Sequence, residues 1–368
     1  MLSLHPANGK TRVNMSFQEG HSKHDATFDH QEILASSAEI LIANLAARRE
    51  VEFGAEIKRR KVHYSARLEK WRVGFDFCEL SLQLTRSATR LFYKQALLIP
   101  SLRLNAKSIH VGVIQKKIIE LAEEVLLLMR HGYLSGAQSR ARTIYETSII
   151  MRFLAASDDE TTYRYLDHST VKAFEDAAAR LVVEPNHIES PQCASEYRQL
   201  KVEYEKLITK YGEEFKGGYG WARTALLRNL PDHKGRITFA HIEAVVGGAH
   251  FNQLFRIASH SVHMTPMTFK TEYLSQPLLK KRGLIGFSIP FHLSLTSLLA
   301  SLSSLTMVLE LLPSIADGEL REIEDLYFEM RVHIAAFNII YEKAIKTVLL
   351  IEKSDLPVTA SGRAAEEK

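Results

Sequence analysis

The sequence predicts an all-α fold, a multi-helix bundle with an N-terminal helical extension and disordered ends. Proline, the residue that most strongly breaks helices, is absent from Ser101 to Glu184 and again from Ser314 to Leu356. Apolar residues in both regions recur at steps of three and four, which is the period of one helix face. The strict alternation that is typical of strands is scarce. A bundle built almost entirely of helices follows from these observations.

Clusters of turn-forming residues divide the chain into its predicted helices. Gly, Pro, Asn, Asp and Ser gather at 131–136 (HGYLSG), 183–192 (VEPNHIESPQ), 215–221 (FKGGYGW) and 230–235 (LPDHKG). The helices predicted between these and the remaining breaks are 31–53, 63–97, 103–130, 133–156, 159–183, 192–213, 238–263, 291–312 and 318–353.

The same pattern predicts four regions along the chain. Residues 1–30 are polar and scattered with histidines, so they are predicted to be a disordered N-terminal segment. Residues 31–130 form N-terminal helices, and residues 131–353 form the main helical bundle with the candidate site. Residues 354–368 form a disordered tail.

Composition limits the class of protein. Hydrophobic residues make up 46% of the chain and charged residues 24%, which is ordinary for a soluble globular protein, and the net charge of +4 is compatible with an acidic partner such as nucleic acid. Cys78 and Cys193 lack CxxC spacing, and the N-terminus lacks the features of a secretory signal. A cytoplasmic location is expected.

The segment Lys216–Trp221 (KGGYGW) is the nearest approach to a phosphate-binding glycine-rich loop. It lacks the preceding strand and the following GK[ST] that such a loop requires. The sequence therefore predicts no bound cofactor.

One stretch has the composition of a membrane span. Gly283–Leu309 contains no Asp, Glu, Lys or Arg, but Phe291–Leu309 carries seven Ser or Thr residues. Its leucines at 295, 299, 302, 305 and 309 recur about every 3.5 residues, which is typical of a packed helix seam. We expect a buried helix, or one through which the chain self-associates, and no membrane span.

The candidate site lies in Phe251–Met267, FNQLFRIASHSVHMTPM. On a helix with about 100° per residue, the polar side chains here span about 100° of arc, and the apolar ones lie opposite. No Asp, Glu or Lys occurs from Ala244 to Phe269, so the polar stripe is unlike an ordinary solvated face, which is normally rich in Lys and Glu. A buried or cleft-lining stripe is predicted, comprising Asn252, Arg256, Ser259, His260 and His263.

A second candidate feature is the pair Arg142 and Glu146, four residues apart on the helix predicted at 133–156. The apolar surroundings indicate that this helix is mostly buried, and a buried arginine needs a partner. Two interpretations stay open: an ordinary core ion pair between helices, or a role that faces or supports a substrate.

These features lie within a recognisable order of segments: HGYLSGAQSRARTIYETSIIMRFL, then YRYLDHS, YGWA and ASHSVHM. The order resembles a bacterial all-helical family catalogued only as a domain of unknown function, with an Arg-x-x-x-Glu helix followed by a Ser-x-x-His helix. The resemblance covers about 100–310. It picks out Arg142, Glu146, Ser259 or Ser261, and His263, but implies no reaction.

The spacing Arg256-x6-His263 also resembles the Arg-x4-6-His pattern of the HEPN superfamily of helical nucleotide-binding proteins and ribonucleases. Arg228–His233 is a competing match, but Pro231 would break a helix there. The resemblance implies metal-independent RNA cleavage, frequently in a site built across a dimer, and a role in bacterial toxins or phage defence.

The chemistry suits that implication, because an imidazole transfers protons near neutral pH and a fixed cation stabilises charge that develops on phosphate. In the predicted site His263 moves the proton, Arg256 holds the phosphate, and His260 assists. RNA and a second copy of the chain are the expected partners.

The same residues allow three other interpretations. His260 and His263 could ligate a metal with Glu146 or His250, but no HExxH or paired Glu-x-x-His helices occur, so no metal is predicted. A serine nucleophile lacks a GxSxG elbow. The remaining alternative is a non-catalytic interaction or scaffold protein whose Arg, Glu and His groups form a structural polar core.

Overall fold

The computed structural model of the chain describes residues 6–7, 10–11, 25–183, 191–247, 255–256, 258–259, 285–311 and 319–354. The all-α prediction is confirmed: beyond a two-residue antiparallel pairing of β1 (Pro6–Ala7) with β2 (Lys10–Thr11), the regular structure described is helical. The helices are α1 (Asp25–Ala96), α2 (Pro100–Arg103), α3 (Ala106–Arg130), α4 (Leu134–Ala156), α5 (Asp159–Val183), α6 (Pro191–Tyr211), α7 (Arg223–Leu227), α8 (Phe239–Val245), α9 (Ile285–Glu310) and α10 (Leu320–Ser354), with 3₁₀ turns at Glu213–Lys216 and Gly220–Ala222.

Helix α1 differs from the prediction in two ways, in its continuity and in its first residue. It is one continuous helix, where two helices at 31–53 and 63–97 were predicted, and it begins at Asp25, inside the segment predicted to be disordered. The expected break contains Gly54 but no proline, and a glycine inside a helix costs only about 1 kcal/mol relative to alanine. The charged run Glu56–Arg72 consists largely of strong helix formers, which continue the helix through this point.

Contacts between residues divide the chain into two compact units, Met1–Ser65 and Ala66–Lys368. In the first unit, the apolar side chains of Ile40, Leu41 and Ile42 on α1 are exposed. The second unit contains the hydrophobic core, to which α3, α4, α9 and α10 all contribute buried side chains.

Helix α9 lies in that core, where it packs most extensively against α4 and also against α10 and α3. Leu295, Leu302, Leu305 and Leu309 are at most 3% exposed. Four of the five leucines of the predicted seam are therefore buried inside the chain and Leu299 is half-buried, which agrees with the first of the two alternatives; self-association stays a prediction.

The serines of α9 are buried together with its leucines. Ser297, Ser301 and Ser304 are fully buried, and their hydroxyls donate to the helix's own carbonyl oxygens at 2.6, 2.8 and 2.8 Å. Because these three donors are satisfied within the helix, burying them does not leave them unpaired, whereas the buried hydroxyl of Ser294 has no partner among the described residues. Small side chains also permit a close approach by neighbouring helices, and α4 presents the fully buried Ala137 and Ala141 to the core.

Among the described residues, the segment Ile289–Glu310 of α9 has the length and mean hydropathy of a membrane-crossing helix. However, 67% of this segment is buried inside the protein. A core helix of a soluble protein has the same properties, so the absence of a membrane span stays a prediction.

The prediction of one long helix over 238–263 is wrong, because α8 is a much shorter helix. Thr238 caps its N-terminus together with His241, but the helix ends at Val245, and Gly247 adopts φ +76°. A glycine with positive φ directly after a helix is a common stop signal, because other residues are strained in that conformation. Residues 248–254 lie outside the described part of the chain, and Phe255, Arg256, Ala258 and Ser259 are helical beyond it.

Candidate functional site

The Arg142–Glu146 pair lies on α4, and both partners belong to that one helix. Nε and Nη2 of Arg142 donate to Oε1 of Glu146 at 3.2 and 3.0 Å. The side chains remain 25% and 32% exposed. A core ion pair between helices, one of the two interpretations left open by the sequence, is therefore wrong: the pair is intrahelical and reaches solvent.

An aromatic cluster joins this pair to the segment that carries Arg256. The ring of Phe255 stacks on that of Phe239 with centroids 5.4 Å apart and lies 5.5 Å from the ring of Tyr145. The guanidinium of Arg142 lies 5.2 Å from the centroid of Phe255, within range of a cation–π interaction. Tertiary packing thus places the Arg-x-x-x-Glu motif directly beside residue 255.

Arg256 follows Phe255 and is exposed, whereas Ala258 is fully buried. Ser259 is half-buried, and its hydroxyl donates to the carbonyl of Phe255 at 2.8 Å. The separation of apolar and polar faces that was predicted for this helix holds at these four residues. Arg228, the arginine of the competing motif, instead forms an ion pair with Asp158 at 2.6 Å.

The other members of the predicted stripe, Asn252, His260 and His263, lie outside the described residues. Their roles stay predictions. Of the seven predicted site residues, the structure places Arg142 and Glu146 in contact with each other and Arg142 against Phe255, and it places Arg256 and Ser259 on the same helical segment as Phe255.

Tyr145 and Glu243 form a buried polar contact beneath the aromatic cluster. The Tyr145 hydroxyl donates to Oε1 of Glu243 at 2.7 Å, and the two residues are 1% and 2% exposed. Burial, followed by the hydrogen bond to Glu243 and its negative charge, raises the pKa of Tyr145 far above its usual value. Tyr145 is therefore a neutral donor that fixes α8 against α4.

We expect Tyr145→Phe to destabilise the protein by about 1–3 kcal/mol, because a buried carboxylate loses one of its donors. Chemical unfolding followed by circular dichroism measures this change. Tyr163→Phe, which alters an exposed tyrosine, is the matched control and should change stability by less than about 0.5 kcal/mol. Equal effects of the two substitutions would contradict the structural role of the Tyr145 hydroxyl.

Tyr219 lies in the turn between the two 3₁₀ segments, near the Arg142–Glu146 pair. Burial raises the pKa of the Tyr219 hydroxyl, the charge of Glu146 raises it further, and the charge of Arg142 opposes that effect. The ring of Tyr219 also lies 6.3 Å from that of Phe239. A neutral phenol therefore stands near the ion pair at neutral pH.

His168 on α5 holds this turn in place. Its Nε2 lies 2.9 Å from the carbonyl oxygen of Gly217, and its ring meets Phe215 edge-on at 5.2 Å. Burial lowers the pKa of His168 below its usual 6.5, so the neutral imidazole donates to this carbonyl in the folded state.

A group whose pKa is lower in the folded state than in the unfolded state stabilises the fold above the unfolded value, and this contribution is lost as the pH falls. We therefore expect His168 to make wild-type stability decline below pH 6.5. In His168→Gln, whose amide can still donate to Gly217, the decline should be shallower. Urea unfolding at several pH values measures both slopes, and identical slopes would exclude this role.

Within the part of the chain that the structure describes, no group of three or more His, Cys, Asp or Glu side chains is arranged to hold a metal ion. The described residues of the two segments and of the turn between them supply two guanidiniums, a carboxylate, a phenol and a serine hydroxyl, from Arg142, Arg256, Glu146, Tyr219 and Ser259. Such groups recognise and position anions, since guanidinium forks match the geometry of phosphate and carboxylate oxygens.

The Arg-x-x-x-Glu helix and the later Ser259 segment are the features expected of the helical family that the sequence resembles. Residues 111–277 match the family of unknown function DUF5677. The resemblance is thereby confirmed for this segment, which is shorter than the predicted 100–310. The DUF5677 segment contains all of the predicted site residues but ends before α9. No curated protein and no solved structure matches the chain.

Sequence reasoning missed several residues of this site. Tyr219 lies in the YGWA segment that carried part of the DUF5677 resemblance, but no role was assigned to it. Glu243 gave no signal, because glutamate is rarely buried and a single one on an amphipathic helix is normally solvated. The spacing of Tyr145 three residues after Arg142 predicts only that they are neighbours on one helix.

Proposed function

We propose that the chain is a HEPN-like protein that acts on nucleic acid, most concretely a metal-independent endoribonuclease. One observation carries the proposal: Arg142 of the Arg142–Glu146 pair packs against Phe255, the residue next to the exposed Arg256, and both the pair and Arg256 reach solvent. A structural polar seam would be dry, whereas a binding site has to open to its ligand.

Each group has a chemical role in this proposal. Arg256 and Arg142 hold the phosphate, and Glu146 fixes the orientation of the Arg142 guanidinium through its two hydrogen bonds. His263 takes the proton of the ribose 2′-hydroxyl as that oxygen attacks phosphorus. The bond to the 5′-oxygen breaks, and His260 returns a proton to that oxygen, which leaves a cyclic phosphate and a 5′-hydroxyl.

RNA is the proposed substrate, and the net charge of +4 supports a polyanionic partner. Self-association is the other part of the proposal, and it rests on the HEPN resemblance. It must use a surface other than the buried leucines of α9.

The test is cleavage of total RNA in EDTA by purified wild type, His263→Ala and Arg256→Ala. We expect each substitution to reduce the cleavage rate by about 100-fold or more, the usual loss when a proton-transfer group or a charge-stabilising group is removed. Arg180→Ala, which alters an exposed arginine on α5, should cleave like the wild type.

The outcome separates the proposal from the scaffold interpretation. If the wild type does not cleave RNA, and if His263→Ala melts at a lower temperature than the wild type, the polar residues form a structural core and the chain is an interaction protein. The satisfied Tyr145–Glu243 contact is the observation that favours this second function.

A further inference from the structure

A cavity of about 240 Å³ lies between the glycine-rich turn after α6 and the loop that precedes α8. This volume is far more than one water molecule needs, so the cavity has room for one small charged group with its hydration. Three basic side chains and three glycines contribute to its lining: Gly217, Gly220, Arg223, Lys234, Gly235 and Arg236.

The lining of the cavity has more positive than negative side chains. Arg223 forms an ion pair with Glu214, the acidic residue of the lining, and also donates to the carbonyl of Gly235 at 3.1 Å. Lys234 and Arg236 are exposed and form no ion pair with any described residue. The cavity therefore carries about two unmatched positive charges.

One glycine, Gly235, leaves its backbone exposed at the cavity wall, whereas the N–H groups of Gly217 and Gly220 donate within their own turn. Gly235 has no side chain to cover its N–H, and no described residue accepts a hydrogen bond from that group. An unbonded backbone N–H beside cationic side chains is a typical donor to a bound anion. The fixed Arg223 supports the wall, because its bond to the Gly235 carbonyl holds this part of the loop.

We propose that this cavity binds a phosphate monoester group, carried either by a mononucleotide or by the phosphorylated end of an RNA. A monoester carries a charge of about −1.5 to −2 at neutral pH, which matches the two unpaired cations, and its oxygens accept both guanidinium and backbone N–H bonds. This site lacks the strand and GK[ST] of a P-loop. It uses none of Arg142, Glu146 and Arg256, so it stands independently of RNA cleavage.

Isothermal titration of the full chain with uridine 5′-monophosphate, and with uridine as the phosphate-free control, tests the site. A second arm compares 5′-phosphorylated and 5′-hydroxyl RNA of one short sequence. Arg236→Ala and Lys234→Ala should each weaken binding of the phosphorylated probe about tenfold or more, since each removes a charge-assisted contact. Lys206→Ala, which alters an exposed lysine on α6, should bind like the wild type.

Binding of the mononucleotide but not of uridine, lost in Arg236→Ala, supports a small-molecule source of the phosphate. Preference for the 5′-phosphorylated RNA alone, lost in the same variant, supports an RNA end. Equal binding of the phosphorylated and unphosphorylated probes, no binding of either, or unchanged binding in both cavity variants overturns the proposal. Because the readout is binding, a failure to cleave RNA has no effect on this result.

Discussion

Replacing Trp221 by alanine is expected to destabilise the fold by about 3–5 kcal/mol, the usual cost of truncating a buried aromatic side chain. Trp221 is 3% exposed and packs edge-on against the rings of Tyr165 and Phe153, with centroids 4.8 and 5.7 Å away. Its carbonyl oxygen also accepts a hydrogen bond from Nε of Arg164. Truncation leaves a cavity where α4, α5 and the second 3₁₀ turn meet.

The measurement is denaturant unfolding followed by far-ultraviolet circular dichroism, which does not depend on tryptophan fluorescence. Trp221→Phe, which keeps a ring in the cluster, should lose clearly less stability than Trp221→Ala. Phe328→Ala removes a ring that is 69% exposed and should change stability by less than about 0.5 kcal/mol. A loss below about 1 kcal/mol in Trp221→Ala would show that this aromatic contact does not hold the turn against the bundle.

Gly220→Ala is expected to destabilise the fold by about 1–3 kcal/mol or more through overpacking. A Cβ at this position would lie 2.6 Å from the carbonyl oxygen of Phe215, 2.7 Å from its Cα, and also against the carbonyl oxygen of Glu214. All three are backbone atoms, which cannot rotate away as a side chain can. The substitution therefore has to separate the two 3₁₀ turns.

Gly217→Ala is the matched control, three residues away in the same turn. A Cβ there meets the carbonyl oxygen of Glu214 at 3.5 Å, an ordinary van der Waals contact, and Gly217 has φ −62°, which alanine adopts freely. Its melting temperature should remain near that of the wild type, while that of Gly220→Ala falls. Similar melting temperatures for the two variants would contradict the close approach seen at Gly220.

Local pattern was sufficient to predict three consecutive helices of the second unit. Those predicted at 133–156, 159–183 and 192–213 are observed at Leu134–Ala156, Asp159–Val183 and Pro191–Tyr211. Their limits coincide with glycine, proline and capping residues, whose effects act over one or two turns and can therefore be seen in sequence.

The errors at α1 and α8 have opposite causes. The helix was expected to stop between 53 and 63, a stretch that contains Gly54, but the helix-forming residues there outweigh the small cost of one glycine. At Gly247 the helix was expected to continue, but it ends, because this glycine adopts the left-handed conformation. Sequence periodicity alone does not distinguish these two situations.

Only part of the candidate site was predictable, because the sequence pattern specifies local contacts and not tertiary ones. The spacing of Arg142 and Glu146 predicts contact within a helix, and this contact is observed. The approach of Arg142 to Phe255 joins residues more than 100 positions apart, and it depends on the stacking of Phe239 and Tyr145 between the helices. No pattern in a single sequence specifies such a tertiary contact.

The segment that matches DUF5677 is shorter than the part of the chain that packs into the core, and α9 belongs only to the latter. The DUF5677 match ends at residue 277, yet the helix that covers the apolar side of α4 begins at Ile285. A fragment limited to the matched residues would expose that side of α4 to water and would be prone to aggregate. The chemistry of the matched segment therefore depends on a helix that the family boundary leaves out.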